Sequence, residues 1–151
     1  MKTWLAAESI WRNDTLWVPL LAGLIVQLIK FTAYWLQHHR VDLRVLVQAG
    51  GMPSSHSAVV TALAAMVGWR EGTNSTLFAV AVILAGIVMY DAAGVRRAAG
   101  RQARILNRIL DDLYHGQPVA EERLRELLGH TPFEVIVGAI LGFVLAWAWV
   151  W

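Results

Sequence analysis

The chain contains no cysteine. That removes a disulfide framework, a thiol nucleophile and any Cys-ligated zinc or iron–sulfur centre from consideration. Charge is also scarce: 16% of residues are charged and 57% are apolar, against about 25% and about 45–50% in soluble domains. A water-soluble globular domain is therefore a poor fit, and a small integral membrane protein a good one. Strand-like alternation is missing, whereas a membrane barrel needs about ten-residue alternating segments. Secretory-signal features are missing too. The first apolar run begins near Leu16, with no small-residue cleavage site after it, so the N-terminus is expected to be that of the mature protein. Basic residues are not interleaved with aromatics, and no nucleic-acid-binding motif is present, so nucleic acid is not an expected partner.

What remains is a set of apolar runs in 151 residues, a length that suits a single membrane domain covering 1–151. Four helical spans are expected, at about Leu16–Trp35, Ser57–Trp69, Ser75–Tyr90 and Phe133–Trp151. A bilayer core of about 30 Å needs roughly 20 helical residues. The first and last runs meet that; the second and third are short, to be completed by buried loop residues or folded as a re-entrant hairpin. Between spans three and four, Arg97, Arg101, Arg104 and Arg108 recur at spacings of four, three and four, with Ile105, Ile109 and Leu113 on another side. That is the pattern of a basic amphipathic helix, which at a membrane favours anionic headgroups; a solvated charged face is the plainer alternative. The expected fold is an all-α membrane bundle of about four spans, two of them short, with this helix between the last two. Small residues mark packing faces: Gly138 and Gly142 in the last span, Ala58, Ala62 and Ala65 in the second. They serve either packing within the chain or a homodimer seam.

Four spans put residues 36–56 and 91–132 on one side of the membrane. Seven of the thirteen basic residues lie between Arg96 and Arg125, and Arg40 and Arg44 share their side; Lys2, Arg12 and Arg70 fall on the other. The positive-inside rule makes the arginine-rich side cytoplasmic, in the cell membrane. Trp17, Trp69, Trp147, Trp149 and Trp151 gather at the opposite interface, with Trp35 at the first.

Polar chemistry collects on the arginine-rich side. Residues 50–58 read Gly-Gly-Met-Pro-Ser-Ser-His-Ser-Ala. Pro53 suits a helix entrance and Ser54 or Ser55 can cap it. The free N–H groups and positive dipole end of the helix then favour an anion such as phosphate. Gly50 and Gly51 allow close backbone approach, and His56 can exchange a proton near neutral pH. A capped helix start with an incidental histidine is the simpler alternative. Lys30, near the end of span one, either snorkels to the interface or contacts phosphate. Arg96 and Arg97 suit bidentate phosphate binding. Asp91 either orients one of them or contributes to a divalent-cation site, although Asp91, His130 and Glu134 match no strong metal-ligand spacing. His130 and Glu134 stand at i and i+4 of a helix start, close enough for the carboxylate to fix the imidazole tautomer; a capping carboxylate beside a helix-start histidine is the alternative.

The stretches GGMPSSHSA (50–58), VMYDAAGVRRAAGRQA (88–103), ILN (105–107) and LRELLGHTPFEV (124–135) together resemble the divergent branch of the type 2 phosphatidic acid phosphatase superfamily, which is related to acid phosphatases and vanadium-dependent haloperoxidases. The likeness runs from about Leu20 to the end. It implies a helical membrane enzyme that removes phosphate from a lipid phosphate or pyrophosphate, with no required cofactor. By that resemblance His130 is the nucleophile, Glu134 its carboxylate partner and His56 the acid for the leaving oxygen. Lys30, Ser54, Ser55 and Arg96 or Arg97 hold the phosphate. The superfamily pattern is not kept throughout. Lys30 is followed ten residues on by Arg40 without a proline, and Ser55 replaces a glycine. Arg96 and His130 stand 34 positions apart where the superfamily has six. The split leaves a second expectation: a non-catalytic lipid-phosphate binding or carrier protein that keeps the cradle.

Overall fold

The computed structural model describes residues 10–46, 51–113 and 129–151. Gly50, Lys2, Arg123 and Arg125 lie outside the described residues, as does the 124–128 part of the 124–135 stretch. Five α-helices and a short 3-10 turn account for the described chain, which contains no strand: α1 (Asp14–His38), the turn (Leu43–Leu46), α2 (Ser55–Glu71), α3 (Thr76–Ala93), α4 (Val95–Leu113) and α5 (Pro132–Val150). The all-α bundle is as expected.

Four of the five helices, all but α4, begin where the sequence supplies a cap. Asn13 accepts the Leu16 N–H at 3.2 Å for α1, and Ser75 accepts the Phe78 N–H at 3.1 Å for α3. Helix α5 carries a full capping box between Thr131 and Glu134, with a proline in its first turn, which satisfies two otherwise orphaned N–H groups. Helix α1 stops where His39 turns left-handed at φ 50° and its N–H returns to the Trp35 carbonyl at 2.8 Å. Helix α2 stops at Gly72, whose φ of 84° suits a residue without Cβ.

Helix α2 occupies the centre, packed against α5, α1 and α3. Its sequence explains the position. Ser57, Ala58, Ala62 and Ala64 are buried, and small side chains let neighbouring backbones approach. Where surrounding lipid is as apolar as the helices, close packing must supply the association energy. The contact with α5 is the tightest. A Cβ on Gly138 would lie 2.3 Å from the Ser54 carbonyl oxygen, and one on Gly142 2.2 Å from that of Ala58. The glycine pair thus serves packing within the chain, and a homodimer would need another face. Val18, Ala22, Ala62, Met66 and Ala146 form one core cluster; Ala64, Val67 and Ala81 form a second, with Phe78 against it.

Among the described residues, three helical segments are long and apolar enough to cross a membrane: Asp14–His38, Thr76–Asp111, which starts with α3, and Pro132–Val150. The third span is longer than its apolar run suggests, because α3 continues through Asp91 to Ala93. Helix α2 has 17 residues, about 25 Å, short of the roughly 30 Å core. Sheathed by longer helices, it does not have to reach both headgroup layers itself, and its capped N-terminus is recessed within the bundle. Outside the sheath, Leu24, Ile83, Ile87, Ile140 and Trp147 are all exposed, as lipid-facing residues are.

Polar contacts define the two ends of the bundle. At one end Arg70 pairs with Asp14, joining the end of α2 to the start of α1, and Trp69 packs on Phe143 at 5.8 Å. At the other, the Ser54 N–H bonds the Glu134 carbonyl at 3.2 Å and the His130 N–H bonds that of Ala92 at 2.9 Å. The linker after α1 dips back to this end: Val45 is buried, and its carbonyl accepts the side-chain amide of Gln27 at 2.9 Å. That contact gives Gln27, the other polar residue of the first span, a structural role.

Candidate functional site

The N-terminus of α2 is built around a buried serine pair. Ser54 is 0% exposed. Its Oγ accepts the Ser57 N–H at 3.3 Å and meets the Ser57 Oγ at 2.9 Å. Its hydroxyl is therefore committed to capping and enclosed, and does not stand open as a phosphate ligand. Ser55, the first residue of α2, is half-buried and His56 is exposed; these two present the motif outward. The burial of Ser57 has no separate signal in the sequence, since cap partners and open hydroxyls are the same residue type.

His130 sits in the adjacent wall at 4% exposure. Its Nδ1 lies 3.3 Å from Oε2 of Glu134. A carboxylate can only accept, so Nδ1 carries the proton and Nε2 the lone pair. The same Oε2 accepts the Thr131 N–H at 3.0 Å. Both expected roles of Glu134, cap and imidazole partner, are filled by one oxygen. The Gly51 backbone also lies close enough to influence the imidazole. Gly51 faces Lys30 on its other side: a Cβ there would fall 3.8 Å from the lysine Cδ. Lys30 is 8% exposed and within the electrostatic reach of Glu134. It is held inside the site and does not snorkel away from it.

The two halves of the split arginine–histidine motif meet through backbone. Gly129 has φ 85°, and a Cβ there would stand 2.3 Å from the Arg97 nitrogen and 2.7 Å from the Arg96 carbonyl carbon. Only glycine fits so close an approach. With the His130 N–H on the Ala92 carbonyl, the 34-position gap closes in space. Arg96 Nε donates to Asp91 Oδ2 at 2.6 Å, so Asp91 orients an arginine. No group of three or more His, Cys, Asp or Glu able to hold a metal occurs among the described residues. The charges of Arg96, Lys30 and Asp91 all act on His56, with His130 beside them. Both arginines are exposed and both pack backbone on Gly129, but Arg96 is the one paired with Asp91 and the one whose charge reaches His56. Arg40 is exposed beyond the end of α1.

Burial pushes His130 below the ordinary histidine value of 6.5; the Glu134 hydrogen bond and charge oppose this, the Lys30 charge adds to it, and the Gly51 backbone opposes it. The imidazole is therefore neutral at pH 7, as a nucleophile must be. Below 6.5 the unfolded chain binds a proton that the folded one resists, so stability falls as pH drops through that value and levels off under the folded pKa. Thermal unfolding in detergent is expected to show a Tm that declines between about pH 7 and pH 5, with a smaller decline in His130→Gln. An equal decline in the variant would assign the effect elsewhere.

A chain with this bundle and this constellation has relatives. An uncharacterized membrane protein of Bacillus subtilis (strain 168), YuiD, is 39% identical over 144 residues, covering 88% of this chain and 91% of the relative. No solved structure matches. The model of the divergent PAP2 family matches residues 11–145, the span that holds α1 through most of α5 and every site residue described above, and the chain belongs to that family.

Proposed function

We propose that this protein is a membrane phosphatase acting on a lipid phosphate or pyrophosphate, such as a phosphatidyl or polyprenyl species, at the cytoplasmic face of the cell membrane. The observation that carries the reading is His130, whose Nδ1 is held by Glu134 at 3.3 Å, leaving Nε2 without its proton in a cluster with Lys30, Arg96 and His56. In the proposed reaction Nε2 of His130 attacks phosphorus in line. His56 gives its proton to the departing lipid oxygen, and a phosphohistidine forms. Water, deprotonated by His56, then releases inorganic phosphate and restores His130. Lys30, Arg96, Ser55 and the N–H groups opening α2 stabilise charge on the equatorial oxygens, the largest contribution expected in phosphoryl transfer. No metal is called on; Arg96 and Lys30 supply the positive charge.

A second reading, a lipid-phosphate binding or carrier protein without turnover, draws on the near-complete burial of His130. One experiment separates the two. Purified protein in detergent is offered phosphatidic acid, lysophosphatidic acid, a polyprenyl phosphate and a polyprenyl diphosphate, with and without chelator. Release of inorganic phosphate from at least one supports the phosphatase. Saturable binding of the same lipids without release supports the carrier, and neither result sinks both.

A further inference from the structure

Helix α4 presents three different sides, and they follow from its sequence at 100° per residue. Gly100, Ala103 and Asn107, at i, i+3 and i+7, are buried and form the narrow side turned to the protein. Arg97, Arg101, Arg104 and Arg108 are exposed along one flank. On the opposite flank Ile105, Leu106, Ile109 and Leu113 are exposed, Ile105 at 61% and Leu113 at 68%. Among the described residues α4 packs mainly on α3. Water is a poor neighbour for the apolar flank and hydrocarbon a poor one for the arginines. A helix with both flanks fits the boundary between them.

Its position agrees. Helix α4 starts two residues after α3 ends, where the exposed apolar surface of a membrane-crossing helix gives way to Asp91 and Arg96. We infer that α4 is an in-plane interfacial helix whose arginine flank binds anionic lipid headgroups while its apolar flank rests in the acyl layer. Charge complementarity selects the lipid: four arginines along one flank suit a negatively charged leaflet, and acidic residues enter that row only at its far end, with Asp111 and Asp112. This surface is separate from the phosphate-binding site and does not rest on the phosphatase reading. It would hold bulk anionic lipid beside the site.

Because the chain has no cysteine, the full-length protein can be labelled at single positions. Nitroxides at Ile105→Cys, Ile109→Cys, Arg101→Cys and Arg108→Cys are read in vesicles of phosphatidylcholine mixed with phosphatidylglycerol. Labels at 105 and 109 are expected to collide preferentially with oxygen, and those at 101 and 108 with a water-soluble nickel reagent. Equal access of nickel at all four positions would overturn the inference in favour of a solvated helix. Shielding of 105 and 109 from both reagents would overturn it in favour of cover by protein. In parallel, spin-labelled phosphatidylglycerol is expected to associate with the protein more strongly than phosphatidylcholine, and Arg101→Gln with Arg108→Gln to weaken that preference by about fivefold or more. The preference should survive Lys30→Gln, which alters the phosphate site. No preference in the unmodified protein, or its loss in Lys30→Gln alone, would overturn the assignment to α4.

Discussion

Alanine at His130 is expected to reduce phosphate release from the best lipid substrate by about 10⁴-fold or more, as removal of an attacking nucleophile does. Alanine at His56 should behave differently, because an acid matters in proportion to how badly the leaving group needs a proton. A glyceryl or prenyl oxygen is strongly basic once its bond to phosphorus breaks, and loss of a general acid there costs about 10²–10⁴-fold. Nitrophenolate leaves without a proton. With p-nitrophenyl phosphate, His56→Ala should therefore recover most of its activity, whereas His130→Ala should not. The exposed position of His56 and the enclosed one of His130 are consistent with this division: the acid meets the lipid portion and the nucleophile meets phosphorus. Initial rates of both variants on both substrates test it. If the two variants lose activity in parallel on both substrates, the roles are misassigned; if neither loses any, the chemistry lies elsewhere.

The second large effect concerns folding. Gly142→Leu should destabilise the protein by about 3 kcal/mol or more, at the upper end of what overpacking costs. A Cβ at 142 would sit 2.2 Å from the Ala58 oxygen and 2.6 Å from its Cα, and backbone inside a helix cannot rotate aside as a side chain can. Helix α5 would have to leave α2. Gly86→Leu is the matched control. Nothing lies within 4 Å of a Cβ at Gly86, and removing a glycine from a helix interior gains up to about 1 kcal/mol of helix propensity. The same substitution should thus lower the detergent Tm sharply at 142 and leave it level or raised at 86. A fall at 86 would instead reveal a partner on the outer face of α3. Comparable, small effects at both sites would refute the α2–α5 contact.

Much of this architecture is legible in the order of residues. Apolar runs locate the helices, Ser75 and Thr131 announce two helix starts, and the i, i+4 spacing of His130 and Glu134 brings them into contact. The gathering of Lys30, His56, Arg96 and His130 at one end follows from counting turns. The remainder depends on groups without a side-chain signature. Ser54 and Ser55 are chemically alike, yet one hydroxyl points into the bundle as a cap and the other is half-open. Arg96 and Arg97 are likewise indistinguishable until α4 is placed, after which Arg96 is the one paired with Asp91 and the one whose charge reaches His56. The Gln27 amide finds a carbonyl in a linker whose dip into the bundle has no motif. Helix α3 outruns its apolar run: Asp91 reads as the end of that run, whereas pairing with Arg96 lets it stay helical.

The backbone bond from His130 to Ala92 has a consequence for how such a site can change. The chain departs at Ala92 and re-enters at His130, so everything between is a detour pinned at its neck. For a flexible closed loop, each doubling of length costs only about 0.6 kcal/mol. Beyond Arg96 and Arg97, whose backbone packs on Gly129, added or lost residues would therefore cost little while Ala92, Arg96 and His130 stay together. On the proposed reading, membrane attachment and phosphate chemistry would then be separately adjustable parts of one short polypeptide, with Gly129 as the joint that must not vary.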